Sequence, residues 1–323
     1  MKVFSNPTQN EIKFAAKALK DGNLVAFPTE TVYGLGADAE NEKAVSRIYS
    51  VKGRPADHPL IVHISSVNQM SKWAIGIPDY ATKLAREFWP GPMTLILERG
   101  GLAKDFITGG QKSIGLRVPN QPLAYSLLIE FELLGGKGLA APSANKFGAV
   151  SPTNCEAVVE ELGISLDYDD LILNAGQCEI GLESTIIDCT SNHPSILRSG
   201  AITESMIRNA TGISVCFDCN KHKVKVSGQY VSHYSPRAKV IVGKFALPGQ
   251  GFIALNSVPT PVGVIRLAAP ETIEEFAKIF YKSLRAADQL GLKHVAVCQP
   301  EGDGLANVIR ERLSKAAFGR ELL

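Results

Sequence analysis

Cysteine is scarce in this chain, with six among 323 residues. They are too few and too irregularly spaced for the disulfide framework of a small secreted protein. Only Cys216 and Cys219 are spaced C-x-x-C, with His222 three residues on. A closed zinc site needs four ligands, for which Cys189 and His193 are the nearest upstream candidates, and one C-x-x-C lacks its usual second half. Ordinary reduced cysteines and no metal site are therefore expected. An excess of one charge is missing too. The net charge is +2, so coating a polyanion is not forced, although a local basic groove stays open. No run of about 18 apolar residues is present, which leaves nothing to span a membrane. Residues 1–7, M-K-V-F-S-N-P, lack the apolar core of a signal peptide. The expected location is the cytoplasm.

What is present is a globular composition, 45% hydrophobic and 20% charged, at a length that favours two domains. The most informative stretch is 27–36, F-P-T-E-T-V-Y-G-L-G. The apolar residues 24–27 predict a short buried strand, which Pro28 ends by removing a ladder donor. Hydroxyls and a carboxylate follow at Thr29, Glu30, Thr31 and Tyr33, where a plain connection would be shorter. Gly34 and Gly36 allow close backbone approach. A strand ending in hydroxyls and glycines before feeding a helix is expected to floor a small polar ligand.

Thr8 with Glu11 predicts a capping box for a helix that Gly22 closes. Helices are expected at 41–51, 66–74, 79–88, 121–131 and 203–210, and from a Thr153/Glu156 box through Leu162. Strands are expected at 60–64, 94–97, 113–118, 139–145, 171–173, 184–188 and 196–197. The irregular alternation predicts a mixed α/β fold with an open twisted sheet. From 211 to 237 the chain turns polar and basic and loses periodicity, as a linker or lid does. Strands at 239–242, 251–255, 262–266 and 295–298, with helices at 272–289 and 305–318, then make a smaller α/β domain. The expected units are 1–210, 211–237 and 238–323. No internal repeat joins the two larger ones.

Gly34-x-Gly36-x-x-Ala39 formally matches a dinucleotide fingerprint. The interrupting hydroxyls, and His63 where a ribose-binding acid should stand, argue against it. Gly109–Ser113 lacks the glycine of a Walker A loop. Lys52-x-Arg54, framed by Gly53 and Pro55, is either a solvated pair at a helix C-terminus or a phosphate site. Arg117 alternates onto the polar face of its strand. Ser143-x-Asn145 at a strand end is either a turn or a ligand loop. A lone His63 in L-I-V-H-I is more often a satisfied core histidine. Jointly these groups put cations, hydroxyls and amides at strand ends without a nucleophile–base pair. That pattern fits a site that positions and neutralises phosphates.

In order along the chain, P-T-E-T-V-Y-G-L-G, K-G-R-P, L-I-V-H-I, W-P-G-P-M-T, G-L-R-V-P, A-P-S-A-N, S-P-T, E-S-T-I-I-D and L-R-S-G resemble the YrdC/Sua5 family over about residues 8–210. The linker ending H-Y-S-P and the tail with G-D-G-L-A-N-V-I-R-E-R-L-S-K-A-A resemble the Sua5 type. The resemblance implies a YrdC-like open twisted sheet with helices around a deep cavity, a linker over its mouth, and a Rossmann-like C-terminal domain. It implies a nucleotidyltransferase that joins L-threonine, bicarbonate and ATP into threonylcarbamoyl-AMP and pyrophosphate for t6A modification of tRNA. Downstream t6A transferase proteins would be partners, and weak tRNA binding stays open.

Position by position, the resemblance implies that Thr31, His63, Arg117, Ala141 and Ser184 hold threonine. Arg54, Ser113, Ser143, Ser151 and Arg198 would hold ATP, and Lys52 and Asn145 complete the K-x-R and S-x-N signatures. Lys52 and Arg54 would be catalytic, so Lys52→Ala or Arg54→Ala should cut turnover and leave the fold intact. His58 stands where most relatives are expected to have Asn, and its charge would vary near neutral pH. His233 and Tyr234 would be lid contacts. Mg²⁺ would ride on the nucleotide. A non-catalytic RNA-binding module is one rival, marked by steep salt dependence. Another is a hydrogenase-maturation carbamoyltransferase, whose acylphosphatase-like segment and zinc-finger cysteine pairs are missing from this chain.

Overall fold

The computed structural model describes residues 1–217, 224–228, 234–243 and 245–318. Among them, one large sheet is built from β1 (Lys2–Ser5), β2 (Val25–Phe27), β3 (Gly34–Asp38), β4 (Ile61–His63), β5 (Met93–Glu98), β6 (Ser113–Arg117), β7 (Leu139–Ala140), β8 (Leu171–Asn174), β9 (Thr185–Asp188), β10 (Ser195–Arg198) and β11 (Cys216–Phe217). Their order is β1-β8-β2-β3-β7-β4-β6-β5-β9-β10-β11. Pairing is mixed: β4 and β6 run parallel, whereas β5 and β6 run antiparallel. Strands such as β5, M-T-L-I-L-E, are apolar almost throughout because both faces are covered.

On one face, the helix Gln9–Lys20 lays Ile12, Ala15, Ala16 and Leu19 against Leu123, Leu127 and Phe131 of the helix Pro122–Leu133. The capping box of Thr8 and Glu11 starts the first of these helices as expected. On the other face, Ala44, Val45 and Ile48 of the helix Glu42–Lys52 join Leu35, Val62, Leu84 and Leu116. Each fully buried Leu or Phe here contributes about 1.5–3 kcal/mol.

A second sheet holds β12 (Lys239–Val242), β13 (Gly251–Ile253), β14 (Ile265–Ala268) and β15 (His294–Val297) in the order β12-β15-β13-β14. All its pairs are parallel. The helices Ile273–Gln289 and Leu305–Ala317 serve it. The two sheets share packing, since Val32, Val150 and Leu182 belong to the same apolar cluster as Phe276, Phe280 and Leu313.

Several expectations need correction. Gly34–Asp38 is a strand hairpinned onto β2, not a glycine loop feeding a helix. Gly36 sits there because a Cβ would lie 2.8 Å from Phe27 Cε1. The helix starting near residue 154 is capped by the Asn154 side chain, not by Thr153. Residues 66–74 split into a 3₁₀ turn, Val67–Gln69, and a single helical turn, Met70–Trp73. The strand expected at 139–145 ends at Ala140, and the rest becomes a loop. β1 and β11 are additions, the latter inside the expected linker. Cys216 is in a disulfide, whereas Cys155, Cys178, Cys189 and Cys298 are free. No helix among the described residues is long and apolar enough to cross a membrane.

Candidate active site

Past β2, where Pro28 ends the strand, Thr29 folds the chain back on itself. Its hydroxyl accepts from the amides of Thr31 (3.1 Å) and Val32 (3.2 Å) and donates to the Val32 carbonyl (2.7 Å). The Thr31 hydroxyl lies 2.8 Å from that of Thr29 and accepts from Arg117 Nη1 at 2.9 Å. Arg117, the last residue of β6, also donates to Glu30 Oε1 at 2.6 Å, and the other Glu30 oxygen accepts from the Asn120 amide. Both partners of this ion pair are almost wholly buried. Beside it, His63 pairs in register with Arg117 across parallel strands. Burial, and then the Arg117 charge, push the His63 imidazole down to about 3. The ring is therefore neutral at physiological pH, and its buried Nδ1 has no hydrogen-bond partner among the described residues.

One wall comes from the residues that lead into β9. The Ser184 hydroxyl lies 2.8 Å from that of Thr94 and accepts from Arg198 Nη2 at 3.0 Å; Arg198 Nε donates to the Ser184 carbonyl. The opposite wall is the loop after β7, where Ser143 bridges Gly34. Lys52 holds this loop from behind, donating to the carbonyls of Ser143 and Asn145. Burial, and then the nearby Arg54, lower the pKa of its ammonium well below the usual lysine value. The Asn145 amide closes its own loop on the Lys146 and Ala149 carbonyls.

The mouth is crossed by residues 224–228. Arg54 Nη2 donates to the Pro59 carbonyl (2.8 Å) and to Ser227 Oγ (3.0 Å), and Arg198 Nη1 donates to the Ser227 carbonyl (3.2 Å). Gln111 and Lys225 exchange a pair of hydrogen bonds, and Lys315 donates to the Gly228 carbonyl. Tyr234 takes φ +63°, uncommon for a bulky residue. Its ring stacks on Tyr281 at 5.7 Å.

Together these groups enclose about 610 Å³ of open space, mouth included. Thr31, His63, Arg117, Ala141, Ser184, Arg54, Ser143, Arg198 and Tyr234 all line it. Other expected residues lie elsewhere. Lys52, Asn145 and Ser151 stand behind the walls, Lys52 because its charge is engaged by two carbonyls and Ser151 because it donates to Glu183. His58 and Ser113 line smaller side pockets along residues 224–228. His58 packs 5.2 Å from the Phe147 ring, and burial, then Arg54, disfavour its charged form. His233 lies outside the described residues.

The sequence reading named Glu30 in the floor stretch without giving it a role, and it missed Glu183 and Ser227. A carboxylate set among hydroxyls or directly before a buried strand was the available signal for the first two.

Comparison with known proteins gives this geometry a family. A family model described as telomere recombination, covering Sua5, YciO and YrdC proteins, matches residues 17–200; one described as the C-terminal domain of threonylcarbamoyl-AMP synthase matches residues 202–318. The threonylcarbamoyl-AMP synthase of Pyrococcus abyssi is 37% identical over 95% of this chain and 94% of its own length. That of Bacillus subtilis is 33% identical over 96% and 94%. The crystal structure of Pyrococcus abyssi Sua5 complexed with L-threonine superposes with a TM-score of 0.87 at 35% identity, covering 99% of this chain and 98% of that one. With both family models matched in order and relatives aligned nearly end to end, the chain belongs to the Sua5-type threonylcarbamoyl-AMP synthases, which are nucleotidyltransferase enzymes.

Proposed function

We propose that the cavity takes L-threonine on its floor and ATP towards its mouth, and that it joins them through bicarbonate. The observation that carries this reading is the convergence of three guanidinium groups, Arg54, Arg117 and Arg198, on one buried space. Arg117, held by Glu30, with Thr31, Ser184 and a neutral His63, offers a floor matched to a small zwitterion with a hydroxyl. Arg54 and Arg198 face the side where a triphosphate would lie, and guanidinium is well suited to phosphate oxygens.

In this reading the threonine amine and bicarbonate condense to an N-carboxylate with loss of water. The N-carboxylate oxygen attacks the α-phosphorus, the bond to the β-phosphate oxygen breaks, and pyrophosphate leaves. The protein contributes proximity and charge stabilisation, with no side chain bonding covalently to substrate. Residues 224–228 and Tyr234 keep water from a carbamate and a mixed anhydride that both hydrolyse readily. The described residues hold no cluster of three or more potential metal ligands, and arginines engage both Glu30 and Glu183. Mg²⁺ would therefore arrive on the nucleotide.

We take residues 1–210 as the catalytic domain, 211–237 as the lid and 238–323 as the C-terminal domain. The product would serve t6A modification of tRNA in the cytoplasm through downstream transferase proteins. Pyrophosphate release from ATP, with Mg²⁺ and bicarbonate, tests the reading. Release should depend on L-threonine and yield a new adenylate by mass spectrometry. Release that ignores threonine would overturn the choice of substrate, and no release from folded protein would overturn the enzyme reading.

A further inference from the structure

Glu183 stands at the edge of the cavity with its carboxylate engaged from behind. One oxygen accepts from Ser151 at 2.7 Å, and the other accepts from the Tyr281 hydroxyl at 2.9 Å and from Arg312 Nε at 3.0 Å. Burial opposes its charge, but Arg312 and then Arg198 outweigh it and hold the carboxyl down at about 2. Tyr281 and Arg312 come from the two helices of the second sheet.

Arg312 sits on the buried stripe of its helix, between Ile309 and Ala316, and is fully excluded from solvent. It makes three contacts at the back of the cavity. It pairs with Glu183, the neighbour of Ser184. It donates to the Ser199 carbonyl at 2.8 Å, next to Arg198. Its guanidinium also lies 5.2 Å from the centre of the Tyr234 ring. An apolar pair of equal volume would serve stability as well or better, so a buried ion pair at this position calls for another explanation. Apart from an ion pair with its chain neighbour Glu311 at 3.1 Å, each of these contacts adjoins or is a cavity-lining residue: Ser184, Arg198 and Tyr234.

We propose that Arg312, acting through Glu183, is a positioning residue that sets Ser184, Arg198 and Tyr234 in register, so that the C-terminal helix completes the binding site. The inference rests on the functional reading above for the identity of the ligands. Its test uses the full-length chain and three variants, Arg312→Met, Arg312→Lys and Tyr281→Phe. L-threonine affinity is measured by calorimetry, alongside kcat and KM from pyrophosphate release and the melting temperature.

Arg312→Met should weaken L-threonine binding about tenfold or more, with a smaller change in kcat. Arg312→Lys, which keeps the charge without the fork, should recover part of that loss. Tyr281→Phe removes one hydroxyl and should weaken binding about threefold in the same direction. Unchanged affinity in a folded Arg312→Met, with only the melting temperature lowered, would overturn the proposal. If that variant does not fold, unchanged affinity in Tyr281→Phe overturns it instead. A wild type that binds threonine but releases no pyrophosphate would sink the functional reading while the affinities still decide this one. A wild type that does not bind threonine overturns both.

Discussion

The floor and the mouth of the cavity are both built around arginine, yet they are built differently. On the floor, Arg117 donates to a buried carboxylate, a threonine hydroxyl and a backbone carbonyl, all on segments that the sheet already fixes. At the mouth, Arg54 and Arg198 reach across to Ser227, in a stretch that belongs to neither sheet. The floor is therefore preorganised, its groups held in place whether or not a ligand is there. The mouth is held partly by contacts with residues 224–228, which a nucleotide would have to replace or share. This contrast separates what a substitution does to folding from what it does to turnover.

The largest effect should come from the floor. Arg117→Met would leave the buried Glu30 without its ion-pair partner, a loss that costs about 3–5 kcal/mol. Threonine-dependent pyrophosphate release should fall by about a thousandfold in the same variant. Urea unfolding and the release assay would check the two halves of this expectation. At the mouth, Arg54→Ala should raise the KM for ATP by about ten- to a hundredfold. Its unfolding midpoint should move far less than that of Arg117→Met. Equal losses of stability in the two variants would break the distinction between a fixed floor and a replaceable mouth.

A smaller effect concerns acid. With a folded pKa of about 3 against an ordinary value of 6.5, His63 binds its proton more readily in the unfolded chain. Its stabilising contribution is fully present above pH 6.5 and is lost progressively as pH falls towards 3. His63→Gln should therefore flatten the loss of stability between about pH 6.5 and 5, a window above the carboxylate range. The slope removed is at most about 1.4 kcal/mol per pH unit. Parallel urea curves for the wild type and the variant across that window would mean that the imidazole is already neutral when unfolded, or charged when folded.

Much of the floor is legible in the sequence, because local patterns carry it. Thr8 and Glu11 mark a helix start, and Arg117 between apolar neighbours marks a strand with one polar occupant. The hydroxyls after Pro28 mark a chain that stops being a strand for a reason. Other features depend on partners far away. Gly34 and Gly36 look like a loop because glycine is depleted from strands, and only the crossing Phe27 ring shows why the strand needs Gly36. Lys52 reads as a phosphate ligand, but the loop it secures lies about 90 residues on, as its bond to the Ser143 carbonyl, 91 residues away, shows. Lys52→Ala would thus disturb the fold as well as the site, contrary to the expectation of an intact fold. Glu30 is noticed without its ion pair and Glu183 not at all, because their arginines are 87 and 129 residues away.

The last of those separations has a consequence for how the protein is made. A ribosome adds about 5–20 residues per second. The Glu183 carboxylate therefore emerges on the order of ten seconds before the arginine that compensates it. Throughout that interval the nascent chain can form much of the large sheet but lacks the brace behind Ser184. A partly synthesised chain would be a poor binder of threonine, and a truncated one would stay so.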